Sequence, residues 1–188
     1  MPSSFDRFAV FSLNGIAGQW VLLDSAMILI SAWQLWTTLA AVLFVYGIRS
    51  KRYQFCTAVI LSLVAIGITD VIAAYFLKPL FHQLRPCHAF PELINPIDGC
   101  AGKFGLPSNH ASNAMAAVVV LSKVIGNIYL SALFVFSYVL VSISRIFLGA
   151  HYPVDTLVGG LWGGTVGLLC CRYVLRIPRL QKYTQPRE

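Results

Sequence analysis

The sequence predicts an all-α integral membrane protein, a helical bundle with about five transmembrane helices and a short interfacial helix at its amino end. Of its 188 residues, 57% are hydrophobic and only 11% are charged, whereas soluble domains are about half apolar and a quarter charged. The apolar residues form five long runs, and most basic residues lie between them. We therefore expect one membrane-embedded domain over residues 1–188.

The first element, residues 5–20, mixes aromatic with polar side chains, as in Phe5 and Phe8 beside Asp6 and Arg7. It is too short and too polar to cross a bilayer. This composition is typical of a helix that lies in the membrane interface.

Five apolar runs follow, at residues 21–48, 55–77, 108–125, 128–147 and 154–174. A transmembrane helix needs about 20 residues, and the third run is the shortest. Because lipid offers no hydrogen-bond partner to the backbone, we expect helices rather than strands. The glycines of the fifth run would let neighbouring helices approach closely.

The basic residues predict which end of the bundle faces the cytoplasm. If the runs alternate, nine bases share one side, and the positive-inside rule makes that side cytoplasmic: Arg49, Lys51, Arg52, Lys123, Arg172, Arg176, Arg179, Lys182 and Arg187. Residues 175–188 are then a cytoplasmic tail, and residues 78–110 form an outer loop. The net charge of +7 thus reflects membrane topology, and we predict no nucleic-acid partner.

Two cysteines, Cys87 and Cys100, bracket a polar stretch of the outer loop. They can pair as a disulfide if this loop faces an oxidising compartment, and the sequence leaves that question open. No cysteine or histidine spacing is typical of a zinc site.

Three polar segments meet on the predicted outer face. The first runs from Lys78 to Arg85-Pro86 after the second apolar run, the second is the stretch 107–110, and the third runs from Ser144 to Asp155. Alternation of the spans brings them to one membrane surface. Ionisable residues placed against a membrane are functional candidates.

The chemistry of these segments suits a phosphate group. Lys78, Arg85 and Arg145 supply cations, and guanidinium groups match phosphate oxygens. Ser108 and Asn109 lie where a helix is predicted to begin, and free N–H groups there favour an anion.

Two histidines complete this set. His151 and Asp155 are four residues apart, so the carboxylate can fix the imidazole tautomer and leave the other nitrogen as a nucleophile. His110 can donate a proton to a departing oxygen. Single residues also fit other roles, such as Asp155 as a helix cap and Ser108 as an N-cap.

The combined pattern Lys-x6-Arg-Pro, Pro-Ser-x-His and Ser-Arg-x5-His-x3-Asp resembles that of the type-2 phosphatidic acid phosphatase superfamily. The resemblance implies a phosphohistidine at His151, oriented by Asp155, with His110 as acid and then base. Lys78, Arg85, Ser108, Asn109 and Arg145 would hold the phosphate without a metal or other cofactor. Asn109 stands where the family usually has glycine, which puts the local geometry in question.

By the same resemblance, we expect a metal-independent phosphatase that acts on lipid phosphates in a bacterial cytoplasmic membrane, with its site facing the periplasm or cell exterior. Undecaprenyl pyrophosphate is the favoured substrate. Phosphatidylglycerophosphate, phosphatidic acid and the 1-phosphate of lipid A stay open, as do lipid phosphotransfer and, in another class, a non-catalytic transporter or scaffold. A haloperoxidase is the weakest alternative. The sequence leaves the oligomeric state open.

Overall fold

The computed structural model describes residues 2–100 and 102–174, and regular structure in that part of the chain is almost entirely helical. In these residues the α-helices are α1 Ser4–Asn14, α2 Val21–Ser31, α3 Trp33–Arg49, α4 Tyr53–Ile72, α5 Lys78–Phe81, α6 Pro86–Ala89, α7 Asn109–Ile125, α8 Ile128–Phe147 and α9 Pro153–Val174. The predicted all-α class is confirmed. The predicted tail at residues 175–188 lies outside the described residues.

Three stretches of the described chain are long and apolar enough to cross a membrane: Tyr53–Phe81, Ile128–Phe147 and Pro153–Val174. The first joins α4 to α5 through a π-helical segment, Ala73–Leu77. Helices α2 and α3 make a fourth span if the bent pair is counted as one. The remaining predicted run is α7, whose 17 residues measure about 26 Å at 1.5 Å per residue.

The first apolar run is broken at Ala32, where the backbone turns from helical to extended and α2 meets α3 at 58°. The sequence predicts one apolar run there, and no proline or glycine lies at the break. A break frees carbonyl groups that need donors, and Trp36 Nε1 donates to Ile30 O at 2.7 Å. The bend also leaves Ser31 buried and facing the bundle.

Helix α7 lies at the centre of the bundle and contacts α4, α8 and α9. Small side chains allow the closest approach, between α7 and α9. A Cβ atom at Gly159 would lie 2.7 Å from Ser108 O, and one at Gly163 would overlap Ser112 O. The predicted use of glycine for close helix packing is therefore confirmed at these positions, and it brings the beginnings of α7 and α9 together.

Helix α1 packs on α8 and α9, with Phe5 and Phe8 exposed. Asp6 forms a capping box with Ser3 at the beginning of α1. Its other carboxylate oxygen accepts a hydrogen bond from Val154 N at 3.0 Å. Asn14 Nδ2 donates to Phe147 O at 2.8 Å. These contacts tie α1 to the end of α8 and the beginning of α9, and the interfacial position of α1 stays a prediction.

Candidate active site

His151 and Asp155 are both fully buried at the beginning of α9. His151 Nδ1 lies 3.3 Å from Asp155 Oδ2, and Tyr152 N donates to the same oxygen at 3.0 Å. Asp155 therefore caps the beginning of its own helix and also contacts the imidazole. The sequence allows Asp155 to be either a helix cap or a partner of the imidazole, and in the structure it makes both contacts.

Arg85 identifies the tautomer of His151. Its Nη1 lies 3.0 Å from His151 Nε2. A guanidinium group only donates hydrogen bonds, so Nε2 must be the acceptor and carry the lone pair. The imidazole proton is then on Nδ1, the atom that faces Asp155, and Nε2 is the nitrogen with nucleophilic character.

Burial and nearby cations keep this imidazole neutral. The pKa of His151 is lowered well below its ordinary value by burial first, and then by the positive charges of Arg85, Arg145 and Lys78. Arg85 contacts the ring directly, and Ser108 N donates to Asp155 O. The structure thus brings together side chains from all three polar segments that the sequence singles out.

Arg145 is buried at the end of α8. Its Nη1 contacts Ser31 Oγ at the bend between α2 and α3 and lies 3.8 Å from the carboxylate of Asp98. Among the described residues, the Nε atoms of Arg85 and Arg145 are buried without a hydrogen-bond partner. Buried donors without a partner are costly, and an anionic ligand between these groups would satisfy them.

The beginning of α7 is organised by Ser108 and Asn109. Ser108 N donates to Asp155 O at 3.0 Å, which joins this helix to α9. Ser108 Oγ caps α7 by accepting from Ala111 N at 3.5 Å, and its own hydroxyl proton stays available to a ligand. Asn109 Nδ2 points instead to Asp70 Oδ1, at 2.7 Å. Phosphate contact through the Asn109 side chain would compete with that bond, whereas its backbone N–H is not involved in it.

Cys87 and Cys100 form a disulfide that closes the outer loop. Cys87 N donates to Gly149 O at 3.2 Å, so the closed loop lies against the turn that leads to His151. His88 is close to both sulfur atoms, but sulfurs bonded to each other are not thiolate ligands. The predicted absence of a metal stays a prediction.

A model of the PAP2 superfamily matches residues 55–179, which is more than half of the chain. The chain belongs to the PAP2 superfamily. The family resemblance drawn from the three motifs is confirmed, and so is the enzyme class: the protein is a phosphatase, and its apolar helices make it a membrane protein.

Two curated relatives align with most of the chain. A lipid A 4′-phosphatase of Porphyromonas gingivalis is 28% identical over 176 residues, which cover 92% of this chain and 72% of the relative. An undecaprenyl-diphosphatase of Sulfolobus acidocaldarius is 27% identical over 170 residues, which cover 87% of this chain and 75% of the relative. These two names indicate different lipid substrates.

The fold is also that of a solved PAP2 enzyme. The crystal structure of the transmembrane PAP2-type phosphatidylglycerolphosphate phosphatase from Bacillus subtilis matches with a TM-score of 0.68 at 20% identity. The match covers 94% of this chain and 90% of that one. At 20% sequence identity, this structural similarity establishes that the two proteins share a fold and nothing more.

Two residues of this PAP2 site gain a role only from the structure. Gln83 Nε2 donates to Asp155 Oδ1 at 2.6 Å; it lies within Lys-x6-Arg, where the motif treats it as a spacer. For Asp70, the sequence allows either a helix–helix hydrogen-bonding group or a support for the site. Asp70 accepts hydrogen bonds from Asn109 Nδ2 at 2.7 Å and from Asn113 Nδ2 at 3.0 Å. It therefore joins α4 to α7 and also holds the side chain of Asn109, a candidate site residue. Its place inside an apolar run is the available signal.

Proposed function

We propose that the protein hydrolyses a terminal phosphate from a membrane lipid through a phosphohistidine at His151. The supporting observation is the position of this imidazole between Asp155 at Nδ1 and Arg85 at Nε2. That arrangement assigns the lone pair to Nε2. The atom that faces the cations is therefore the one that can attack phosphorus.

In the first step, the substrate phosphate binds among Lys78, Arg85 and Arg145. Its oxygens replace His151 Nε2 as the partner of Arg85 and take up the unpaired Nε donors. Nε2 then attacks phosphorus in line with the leaving oxygen. The bound anion offsets the charges of the neighbouring cations and so favours the imidazolium form of His110. A P–N bond forms as the P–O bond breaks, and His110 gives its proton to the departing lipid oxygen.

In the second step, water hydrolyses the phosphohistidine. His110, now without that proton, accepts one from water as its oxygen attacks phosphorus. The P–N bond breaks, the electron pair returns to Nε2, and inorganic phosphate leaves. Asp155 stabilises the positive charge of the ring in the intermediate, as a carboxylate does beside other catalytic histidines. No step in this scheme uses a metal.

For the lipid, we propose undecaprenyl pyrophosphate as the first candidate. A terminal phosphate of lipid A is the second, because the lipid A 4′-phosphatase relative aligns with 92% of the chain. Long apolar chains would lie along the exposed faces of the spans, and the headgroup would reach the cations.

We further propose a bacterial cytoplasmic membrane with the site on its outer side. Helix α3 ends at Arg49 and α7 carries Lys123 in its last turn, at the ends of these helices opposite to the site. The Cys87–Cys100 disulfide suits an oxidising compartment. Both observations favour a cytoplasmic end remote from His151.

The test is phosphate release by the purified full-length protein in EDTA, from undecaprenyl pyrophosphate, lipid A 1- and 4′-phosphates, phosphatidylglycerophosphate and phosphatidic acid. We expect release from at least one lipid and none with His151→Ala. His88→Ala, which changes an exposed histidine of the outer loop, should keep full activity. Undiminished phosphate release by His151→Ala would rule out the phosphohistidine mechanism. Loss of phosphate from the substrate only in the presence of an acceptor lipid would indicate phosphotransfer.

A further inference from the structure

The chain forms a short extended pairing beside the active site. Leu84 and Phe104 form an antiparallel bridge, flanked by Arg85 N donating to Lys103 O at 3.1 Å and Gly105 N donating to Gln83 O at 2.8 Å. Side chains alternate along an extended strand. Gln83 and Arg85 therefore lie on one face of this segment, and Leu84 lies on the other.

Both side chains on this face contact the catalytic pair. Arg85 Nη1 lies 3.0 Å from His151 Nε2, and Gln83 Nε2 donates to Asp155 Oδ1 at 2.6 Å. One extended tripeptide thus contacts the outer nitrogen of the imidazole and the outer oxygen of the carboxylate.

The partner segment of this pairing, which contains Phe104 and Gly105, leaves room for the Asp155 carboxylate. A Cβ atom at Gly105 would lie 2.8 Å from Asp155 Oδ2, so glycine lets the backbone approach this oxygen closely. The carboxylate is then bounded by Gln83, Gly105 and the N–H of Tyr152.

We propose that Gln83 is a positioning residue that orients the Asp155 carboxylate, and through it the imidazole of His151. This inference depends on the proposed phosphohistidine mechanism. A carboxylate held only through Oδ2, where Tyr152 N and His151 Nδ1 contact it, can still rotate about its Cβ–Cγ bond, whereas a donor at Oδ1 fixes its plane. With Oδ1 held by Gln83, Oδ2 faces Nδ1 and the lone pair of Nε2 points at the bound phosphate.

The amide is suited to this role because it donates without carrying charge. A cation at position 83 would form an ion pair with Asp155 and compete for the charge that stabilises the imidazolium. An amide leaves that negative charge intact. The interaction is a hydrogen bond to a charged group, which is stronger than one between two neutral groups.

The experiment compares Gln83→Met, which keeps length and loses the donor, with Gln34→Met on the exposed surface of α3. We expect Gln83→Met to lower kcat about tenfold or more, since 1.4 kcal/mol corresponds to tenfold, and to leave KM within about twofold. Gln34→Met should change neither. A Gln83→Met enzyme with wild-type kcat would overturn this inference. If His151→Ala is inactive in the same assay, the phosphohistidine mechanism itself still stands.

A double substitution distinguishes positioning from a general structural role. In an Asp155→Ala background, adding Gln83→Met should lower the residual kcat by less than about twofold, because the acceptor of the hydrogen bond is gone. An undiminished tenfold effect there would mean that Gln83 acts elsewhere, and would overturn the proposal.

Gln83→Glu provides a second variant that keeps shape and polarity if the methionine variant does not fold. The introduced carboxyl group can donate to Asp155 only when it is protonated, so the kcat of this variant relative to wild type should rise as pH falls. Asp155, Lys78, Arg85, His110 and His151 also face this region, so wild type is measured over the same pH range as the reference. A ratio that stays constant with pH would contradict the proposed donor role.

Discussion

The carboxylate of Asp98 lies 3.8 Å from Arg145 Nη1, so a loop residue partly neutralises a cation of the candidate phosphate site. The loop is closed by the Cys87–Cys100 disulfide, which keeps Asp98 near the site. An anionic headgroup that binds Arg145 must compete with this carboxylate.

Asp98→Asn should therefore tighten the binding of phosphate. The Asp98 side chain is 43% exposed, and partly exposed ion pairs contribute up to about 1 kcal/mol. We expect the inhibition constant of inorganic phosphate to fall by about two- to fivefold, measured by competition with a lipid substrate. Glu92→Gln, an exposed acidic position of the same loop, is the control. Unchanged inhibition by phosphate would show that Asp98 does not compete.

Arg145→Lys should be damaging although it keeps the positive charge. Arg145 contacts Ser31 through Nη1 and keeps a buried Nε without a partner, and a lysine ammonium cannot reproduce this planar geometry. We expect kcat/KM to fall more than about tenfold, in line with the loss of a charge-assisted hydrogen bond. Arg49→Lys, at the far end of α3, should match wild type. Equal rates for both variants would argue against a forked contact with phosphate.

Gly105→Ala tests the close approach of backbone and carboxylate. The new Cβ atom would lie 2.8 Å from Asp155 Oδ2 and 3.3 Å from Arg85 Cγ. Overpacking of this kind costs about 1–3 kcal/mol, so we expect lower thermal stability in detergent together with reduced kcat. Gly67→Ala, whose Cβ would meet nothing within 4 Å, should retain wild-type activity. A fully active and stable Gly105→Ala would mean that the loop moves aside at no cost.

Asp6 should make the stability of the protein depend on pH. Burial raises the pKa of Asp6, but hydrogen bonds from Ser3 and from the backbone N–H of Val154 outweigh it, and the pKa is lowered overall. A depressed pKa stabilises the fold above the unfolded value of about 3.9, and this contribution is lost as pH falls through the folded-state pKa.

Asp6→Ala should accordingly lower the free energy of unfolding by about 1 kcal/mol near neutral pH. The difference from wild type should shrink as the pH falls below about 4. Thermal unfolding in detergent across this range measures it, with Glu92→Ala as the control for loss of a carboxylate. A difference that is the same at both ends of the range would exclude a contribution from ionised Asp6.

The sequence predicts that the motif residues lie close together because its signals are independent of detailed packing, and the roles of these residues stay predictions. Alternation of apolar runs places three motifs on one face, and the four-residue spacing brings His151 to Asp155. The sequence also predicts the boundaries of α8 as the structure has them, since Asn127 caps one end and Gly149, at a φ of 67°, lies in the turn after the other. For these elements, local pattern and tertiary structure agree.

The features that the sequence does not predict depend on contacts between distant segments. The bend at Ala32 has no local signal, and the contacts of Trp36 with Ile30 and of Ser31 with Arg145 accompany it. Gln83 has no assignable role until the pairing of Leu84 with Phe104 fixes which way its side chain points. Such relationships arise only when the chain is folded.

The contact between Arg85 and His151 Nε2 has a consequence for the resting enzyme. The lone pair that would perform the proposed chemistry is already engaged, and the ring is fully buried. Small alkylating or acylating reagents should therefore leave the empty enzyme untouched. In the proposed mechanism only a ligand with enough negative charge to draw the guanidinium away exposes the nitrogen, so the arginine that would bind the headgroup would also protect the nucleophile from adventitious modification.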